Sequence, residues 1–102
     1  MKDITEGLLY EFYAGVISGR AAEVMSAYYL EDLSQSEIAA NLSITKQGVK
    51  DYIDRSLNKI RKIEAATGAY ARYRRTVEFL AEIKKGTDGE TADKIERFLI
   101  EN

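Results

Sequence analysis

Between Leu33 and Ile53 the sequence reads LSQSEIAANLSITKQGVKDYI, and its apolar residues share one face only if this stretch folds as two short helices joined by a tight turn. Ile38, Ala39, Leu42, Ile44, Val49 and Tyr52 or Ile53 then point inward, the buried pattern of a helix-turn-helix. Ser34 followed by Glu37 is a capping-box signature: the hydroxyl accepts from a backbone N–H three residues on, while the carboxylate reaches back to the cap. A helix is therefore predicted to start near Gln35. Ala39 is small where the second helix must cross closely. The connection from Asn41 to Ile44 ends at Thr45, the predicted N-cap of the next helix. One residue of such a turn takes positive φ, and this chain offers Asn41 and Ser43 there instead of Gly, of which Asn tolerates that conformation better. Gly48 lies inside the second helix at about 1 kcal/mol relative to Ala, which implies either close approach to a neighbour or simple tolerance. Two core helices of an all-α bundle with no ligand-reading role would show the same spacing, so that reading stays open.

The second helix shows Thr45, Lys46, Gln47 and Lys50 to solvent in its first turns, with Asp51 and Asp54 further along. Those are groove-reading positions if the ligand is a nucleic acid. Charge patterning agrees in part. The chain as a whole is acidic at −2, yet residues 45–66 carry net +3 and residues 67–86 again +3, bracketed by −5 over 1–44 and −3 over 87–102. The basic middle begins with the reading helix. Alternating charge on long surface helices for solubility is the ordinary alternative.

The chain has 102 residues and no proline, cysteine, histidine or tryptophan. Disulfides, thiolate or imidazole metal sites, cysteine nucleophiles and histidine triads are thereby excluded, and no cofactor is expected. MKDITEG lacks the apolar stretch of a signal peptide, and no apolar run approaches the length that crosses a bilayer, so a cytoplasmic protein without membrane contact is expected.

Asp3 and Glu6 form a second capping-box signature, opening a helix predicted to run to about Val16 with Leu8, Leu9, Phe12, Tyr13 and Val16 as its apolar side. After Ser18 and Gly19 a second helix from about Arg20 to Leu30 offers Val24, Met25, Tyr28 and Tyr29 to a core, with Glu31 and Asp32 at the end where the helix dipole disfavours them. The reading helix continues through Val49, Ile53, Leu57, Ile60 and Ile63 to about Ala66, where Thr67 and Gly68 signal a stop. Tyr70, Tyr73, Val77, Leu80 and Ile83 make one face of a fifth helix, with Arg72, Arg74 and Arg75 clustered away from it. Thr87 and Glu90 form a third capping-box signature before a last helix carrying Ile95, Phe98 and Leu99, and the two form an αα-hairpin. The predicted architecture is all-α: a helical bundle over 1–66 that contains the helix-turn-helix, and a hairpin over 67–102 that packs on it or serves dimerisation. The seven tyrosines are read as core or rim residues with wet hydroxyls in preference to base-stacking platforms.

The segments Leu8–Tyr13 (LLYEFY), Tyr28–Ile38 (YYLEDLSQSEI) and the string Lys46, Gln47, Gly48, Val49, within residues 8–60, resemble the YlxM family of small bacterial helix-turn-helix proteins. The resemblance does not extend to residues 67–102. The resemblance implies a fold like region 4 of bacterial sigma factors. It also implies an accessory or regulatory role around the signal recognition particle, beside whose genes those of the family lie, with the particle's RNA or its GTPase as ligand. Gly19 and Ala21 stand where the family usually has Pro and Gln, and Gly48 stands for a more usual Ala.

Three functions follow. In the first, Lys46, Gln47 and Lys50 reach base edges or groove phosphates, Thr45 and the helix N-terminal amides bind a phosphate, and Lys59, Arg61, Lys62, Arg72, Arg74 and Arg75 add sequence-independent attraction where they share that side. DNA and the particle's RNA are the candidate ligands, and a homodimer is as open as its absence. Asp51 and Asp54 count against this reading unless one accepts from a cytosine amino group. In the second, the acidic surface of Glu11, Glu23, Glu31 and Asp32 meets a basic protein partner, which in the family context is the GTPase. An enzyme is the weakest reading, since Asp51 and Asp54 on a solvated face have no means of shifting their pKa values and no nucleophile nearby.

Overall fold

The structure, a computed structural model, describes residues 2–101. Six α-helices follow one another: α1 (Ile4–Tyr13), α2 (Gly19–Tyr29), α3 (Gln35–Leu42), α4 (Lys46–Thr67), α5 (Ala69–Lys85) and α6 (Gly89–Glu101), with a 3₁₀ turn at Ala14–Val16 after α1. The described residues form no strand, and the fold is all-α. Contacts divide the chain into two compact units, Met1–Thr67 and Gly68–Asn102.

In the first unit α4 is the common partner of α1, α2 and α3. The periodicity of α4 explains why. Val49, Ile53, Leu57 and Ile60 recur at three- and four-residue spacing and are all buried, forming one stripe along α4. Against it lie Val24 and Met25 of α2 and Ile38 and Ala39 of α3, with Tyr10 and Tyr13 of α1 and Ile17 completing the core. At the ambiguous position Ile53 is buried and Tyr52 only partly so. Tyr52 instead lies beneath the Arg55 guanidinium, 5.3 Å from its ring centroid.

The first helix differs from its predicted form. The α-helix stops at Tyr13 and tightens into the 3₁₀ turn, so the buried residues are Tyr10, Tyr13 and Ile17, while Leu8, Phe12 and Val16 are exposed. Two apolar stripes overlap on this helix, and the one with two large rings wins because it removes more surface from water while leaving a hydroxyl a partner. Tyr10 stands against Tyr29 at 6.0 Å between centroids, and the Tyr13 hydroxyl donates to the Glu64 carboxylate. Burial raises the Tyr10 hydroxyl above its ordinary pKa, as it does that of Tyr29, where the Glu6 carboxylate adds to the effect.

Asp3 caps α1 as expected, accepting from the Glu6 N–H at 3.2 Å, but the reciprocal half of that box is absent. Glu6 turns its carboxylate to the Arg61 guanidinium and to the Tyr29 hydroxyl, because a charged partner and a second donor outbid one backbone amide. At the far end of α2 the Lys2 ammonium donates to the Tyr28 carbonyl at 2.7 Å and to that of Leu33, pairs with Asp32 at 3.3 Å and sits 4.2 Å from the Tyr28 ring centroid. A cation there answers both the carbonyl end of the dipole and Asp32.

In the second unit α5 packs on α6, and a connection this short makes them antiparallel. Lys84 pairs with Glu96 across them at 3.2 Å. The cap of α6 is Asp88, whose carboxylate accepts from the Thr91 N–H at 2.8 Å, one residue past the predicted Thr87. That bond holds the Asp88 carboxyl below the usual aspartate range. Gly68 takes φ +60° between α4 and α5, a conformation that strains any side chain and ends α4 there. Among the described residues no helix is long and apolar enough to cross a membrane.

Candidate nucleic-acid interface

The turn that aims α4 begins at the end of α3. Ser43, directly after the last helical residue, takes φ +55°, and the chain closes in a Schellman arrangement: the Ile44 N–H donates to the Ala39 carbonyl at 3.0 Å and the Ser43 N–H to that of Ala40 at 3.4 Å. Asn41, the better residue by propensity, stays helical. Position decides, since only the residue after the final turn can reverse the backbone. Arg20 of α2 donates to the Leu42 carbonyl at 3.3 Å and satisfies a further orphan acceptor.

Upstream, the capping box forms in full. Glu37 N–H donates to Ser34 Oγ at 3.1 Å and Ser34 N–H donates to Glu37 Oε1 at 3.0 Å. The second of these holds the Glu37 carboxyl below its usual range. Downstream, Thr45 caps α4 by accepting from the Gly48 N–H at 2.9 Å. A Cβ at position 48 would stand 3.1 Å from that same hydroxyl oxygen, so the missing side chain leaves the cap room.

Thr45, Lys46, Gln47 and Lys50 are all exposed on the first turns of α4. The carboxylates that counted against this surface have partners one turn back. Gln47 Nε2 donates to Asp51 Oδ1 at 2.9 Å, and Lys50 Nζ donates to Asp54 Oδ2 at 2.8 Å with both side chains about half exposed. The hydrogen bond to Asp54 raises the Lys50 pKa, so its charge is fixed across ordinary pH. Asp51 holds the Gln47 amide with its oxygen and one N–H still unspent. The tip thus carries two cations and two carboxylates. Its attraction for an anion depends on Lys46, on the helix dipole and on Lys50 exchanging its partner.

Of the further basic residues, Lys62 continues the outward row of Gln47, Asp51 and Asn58 and is exposed. Lys59 and Arg61 flank the core stripe on opposite edges. Lys59 donates to the Val16 carbonyl at 2.9 Å and Arg61 pairs with Glu6, so both tie α4 to α1 and the turn after it. Arg72, Arg74 and Arg75 belong to α5 in the second unit; Arg74 pairs with Glu78 and meets the Tyr70 hydroxyl, which raises its pKa.

Reading the sequence alone left out the first turn of α3. Gln35 and Ser36 line, with Lys2 and Lys46, an open depression of about 540 Å³ beside the reading tip. The first helix of such a motif crosses the nucleic-acid backbone, and these residues stand where it would. The capping box announced the helix start; nothing in the sequence tied Lys2 to it.

The family whose profile matches is UPF0122, YlxM/p13-like helix-turn-helix proteins, and the match runs over residues 2–98, through most of the hairpin to which the resemblance over residues 8–60 did not extend. A UPF0122 protein of Thermoanaerobacter sp. strain X514 is 35% identical over 81 residues, covering 79% of this chain and 69% of the relative. One from Symbiobacterium thermophilum is 35% identical over 89 residues, 86% and 83% of the two chains. One from Halalkalibacterium halodurans is 27% identical over 101 residues, 99% and 93%. With a helix-turn-helix formed by α3, Ser43 and α4 and a match along nearly its whole length, the chain belongs to the YlxM/p13-like helix-turn-helix family.

Proposed function

We propose that this chain is a non-enzymatic nucleic-acid-binding protein that lays the N-terminus of α4 in a groove. The observation that carries the reading is the joint exposure of Lys46, Gln47 and Lys50 on a helix end whose entry angle is fixed by the Thr45 cap and the Ser43 turn. Lys46 and Lys50 contact phosphates, Gln47 meets a base edge, and Thr45 with the free amides of the first turn holds a phosphate. Gln35 and Ser36 contact the backbone from α3, and Lys62 adds charge on the same outward row. Lys59 and Arg61 act within the fold. The family resemblance favours structured RNA of the signal recognition particle over duplex DNA and a regulatory or accessory role in that pathway.

The test is fluorescence anisotropy with duplex DNA, single strands and the particle's RNA over a salt series. Two phosphate contacts give a log–log slope near −1.8 on duplex, roughly a 12-fold loss of affinity between about 50 and 200 mM salt. Lys46→Ala with Lys50→Ala removes that part of the slope. Unchanged affinity of the double variant for every nucleic acid tried sinks the reading.

A second reading is favoured by the surface beside α1 and α2. Ile4, Leu8 and Leu30 are exposed along an open groove of about 450 Å³ that also carries Asp3, Glu11 and Asp32, the last paired with Lys2 in the same groove. An apolar floor with acidic edges suits a basic protein segment, in the family context one from the particle's GTPase. Glu11→Lys with Leu8→Asp abolishes that binding and spares nucleic acid if this reading holds.

A further inference from the structure

The carboxylates of Glu23 and Glu31 are exposed and have neither an ion pair nor a hydrogen-bond donor among the described residues. Both line one open cleft of about 340 Å³ between α2 and α3. Its shape follows from the way the chain turns back. The Leu33 N–H donates to the Ala27 carbonyl at 3.0 Å late in α2, and Arg20 donates to the Leu42 carbonyl at 3.3 Å near its start, so α3 returns along α2. Ala27, Leu33 and Leu42 are left half-buried along the gap, with Ile38 beneath them at 1% exposed. Arg20 stands one turn before Glu23, but that carbonyl engages its guanidinium.

The acidic residues that look like one surface in sequence therefore divide. Glu11 and Asp32 line the groove of α1, where Lys2 pairs with Asp32, whereas no cation lines the cleft of Glu23 and Glu31 among the described residues. These two are eight residues apart, about two helical turns, or roughly 12 Å. That is too far to share one metal ion, and two carboxylates repel a phosphate. The apolar floor between them suits an apolar group flanked by cations. On a helix, side chains seven residues apart share a face at about 10.5 Å, with the positions three and four along lying between them. An amphipathic helix with an apolar pair there and Lys or Arg two turns apart matches the cleft in charge and in spacing.

We propose that the cleft between α2 and α3 docks a basic amphipathic helix of a partner protein, its apolar residues on Ala27, Leu33 and Leu42 and its two cations on Glu23 and Glu31. None of the lining residues belongs to the reading tip or to the groove of α1, so the site stands whether or not either of those binds.

The test uses an alanine-based helical peptide of fifteen residues, with lysines at its fourth and eleventh positions and leucines at its seventh and eighth, titrated into the isotope-labelled full chain by NMR. Saturable shifts should centre on the amides of Glu23, Ala27, Leu33 and Leu42. Glu23→Lys and Glu31→Lys should each weaken binding by about three- to tenfold, since each removes an attraction and adds a repulsion. Ala27→Gln, which fills the floor without changing the charge, should weaken it at least as much, and circular dichroism melts show that each variant is folded. Glu11→Lys makes the same change of charge outside the cleft and should leave the affinity unchanged. A peptide with serines for the leucines should not bind. Shifts centred on Leu8 and Leu30, equal weakening by Glu11→Lys, or equal binding of the serine peptide would each overturn the proposal, as would the absence of any saturable shift at millimolar peptide.

Discussion

Replacing Asp54 by Asn tests the reading tip at its most informative bond. In the free protein the Asp54 carboxylate holds the Lys50 ammonium at 2.8 Å, and both side chains are about half in water. An exposed helical pair of this kind contributes little to folding, so the variant should melt close to the wild type. Its effect on binding is larger, because it removes a negative charge from the proposed contact surface and leaves Lys50 free to meet a phosphate. At low salt the gain should be about two- to fivefold in affinity, from lost repulsion in high dielectric and from the unmade exchange of partners. Because Lys50 already meets a phosphate in the wild-type complex, the log–log salt slope stays near −1.8 on duplex. The gain in affinity therefore narrows between about 50 and 200 mM salt only as far as the repulsion by Asp54 is screened. Fluorescence anisotropy over that range reads both quantities. Weaker binding by Asp54→Asn, confined to targets with cytosine at one position, would show the carboxylate reading a base and refute the argument that it masks Lys50. Equal affinity at low salt would place the ligand elsewhere on the protein.

Three further outcomes follow from the fold. Ile60 is wholly inaccessible at the C-terminal end of the buried α4 stripe, so Ile60→Ala should destabilise the protein by about 2–5 kcal/mol in urea titrations. Ser43→Gly should stabilise by about 0.5–1 kcal/mol, the left-handed strain relieved being about 1–2 and the added chain entropy about 0.5–1, whereas Asn41→Gly inside α3 should lose about 1. Glu37 is depressed in the folded state, so its contribution is present above the unfolded glutamate value of about 4.3 and fades as pH falls through the folded value; Glu37→Gln should flatten thermal stability across that acid window.

The sequence by itself determined the helix-turn-helix. Ser34 and Glu37 are neighbours along the chain, as are Thr45 and Gly48, and capping is a local matter that three or four residues decide. The apolar stripe of α4 is equally local, and so is the exposure of Lys46, Gln47 and Lys50 on the helix's first turns, Gln47 away from the stripe and Lys46 and Lys50 at its end and edge. What the residues did not disclose was where long side chains go when the chain folds back. Lys59 and Arg61 look like any other surface cations in sequence, but their partners Val16 and Glu6 lie 43 and 55 residues away. Lys2 shows the same, reaching Leu33 from 31 residues off. The face of α1 also waited on tertiary structure, since Leu8 and Phe12 against Tyr10 and Ile17 is a choice between two stripes that only the surface of α4 can make. Local rules fix which residues are helical and which end of a helix is capped. Packing alone decides which of several equivalent charges is spent inside the fold and which is left for a ligand.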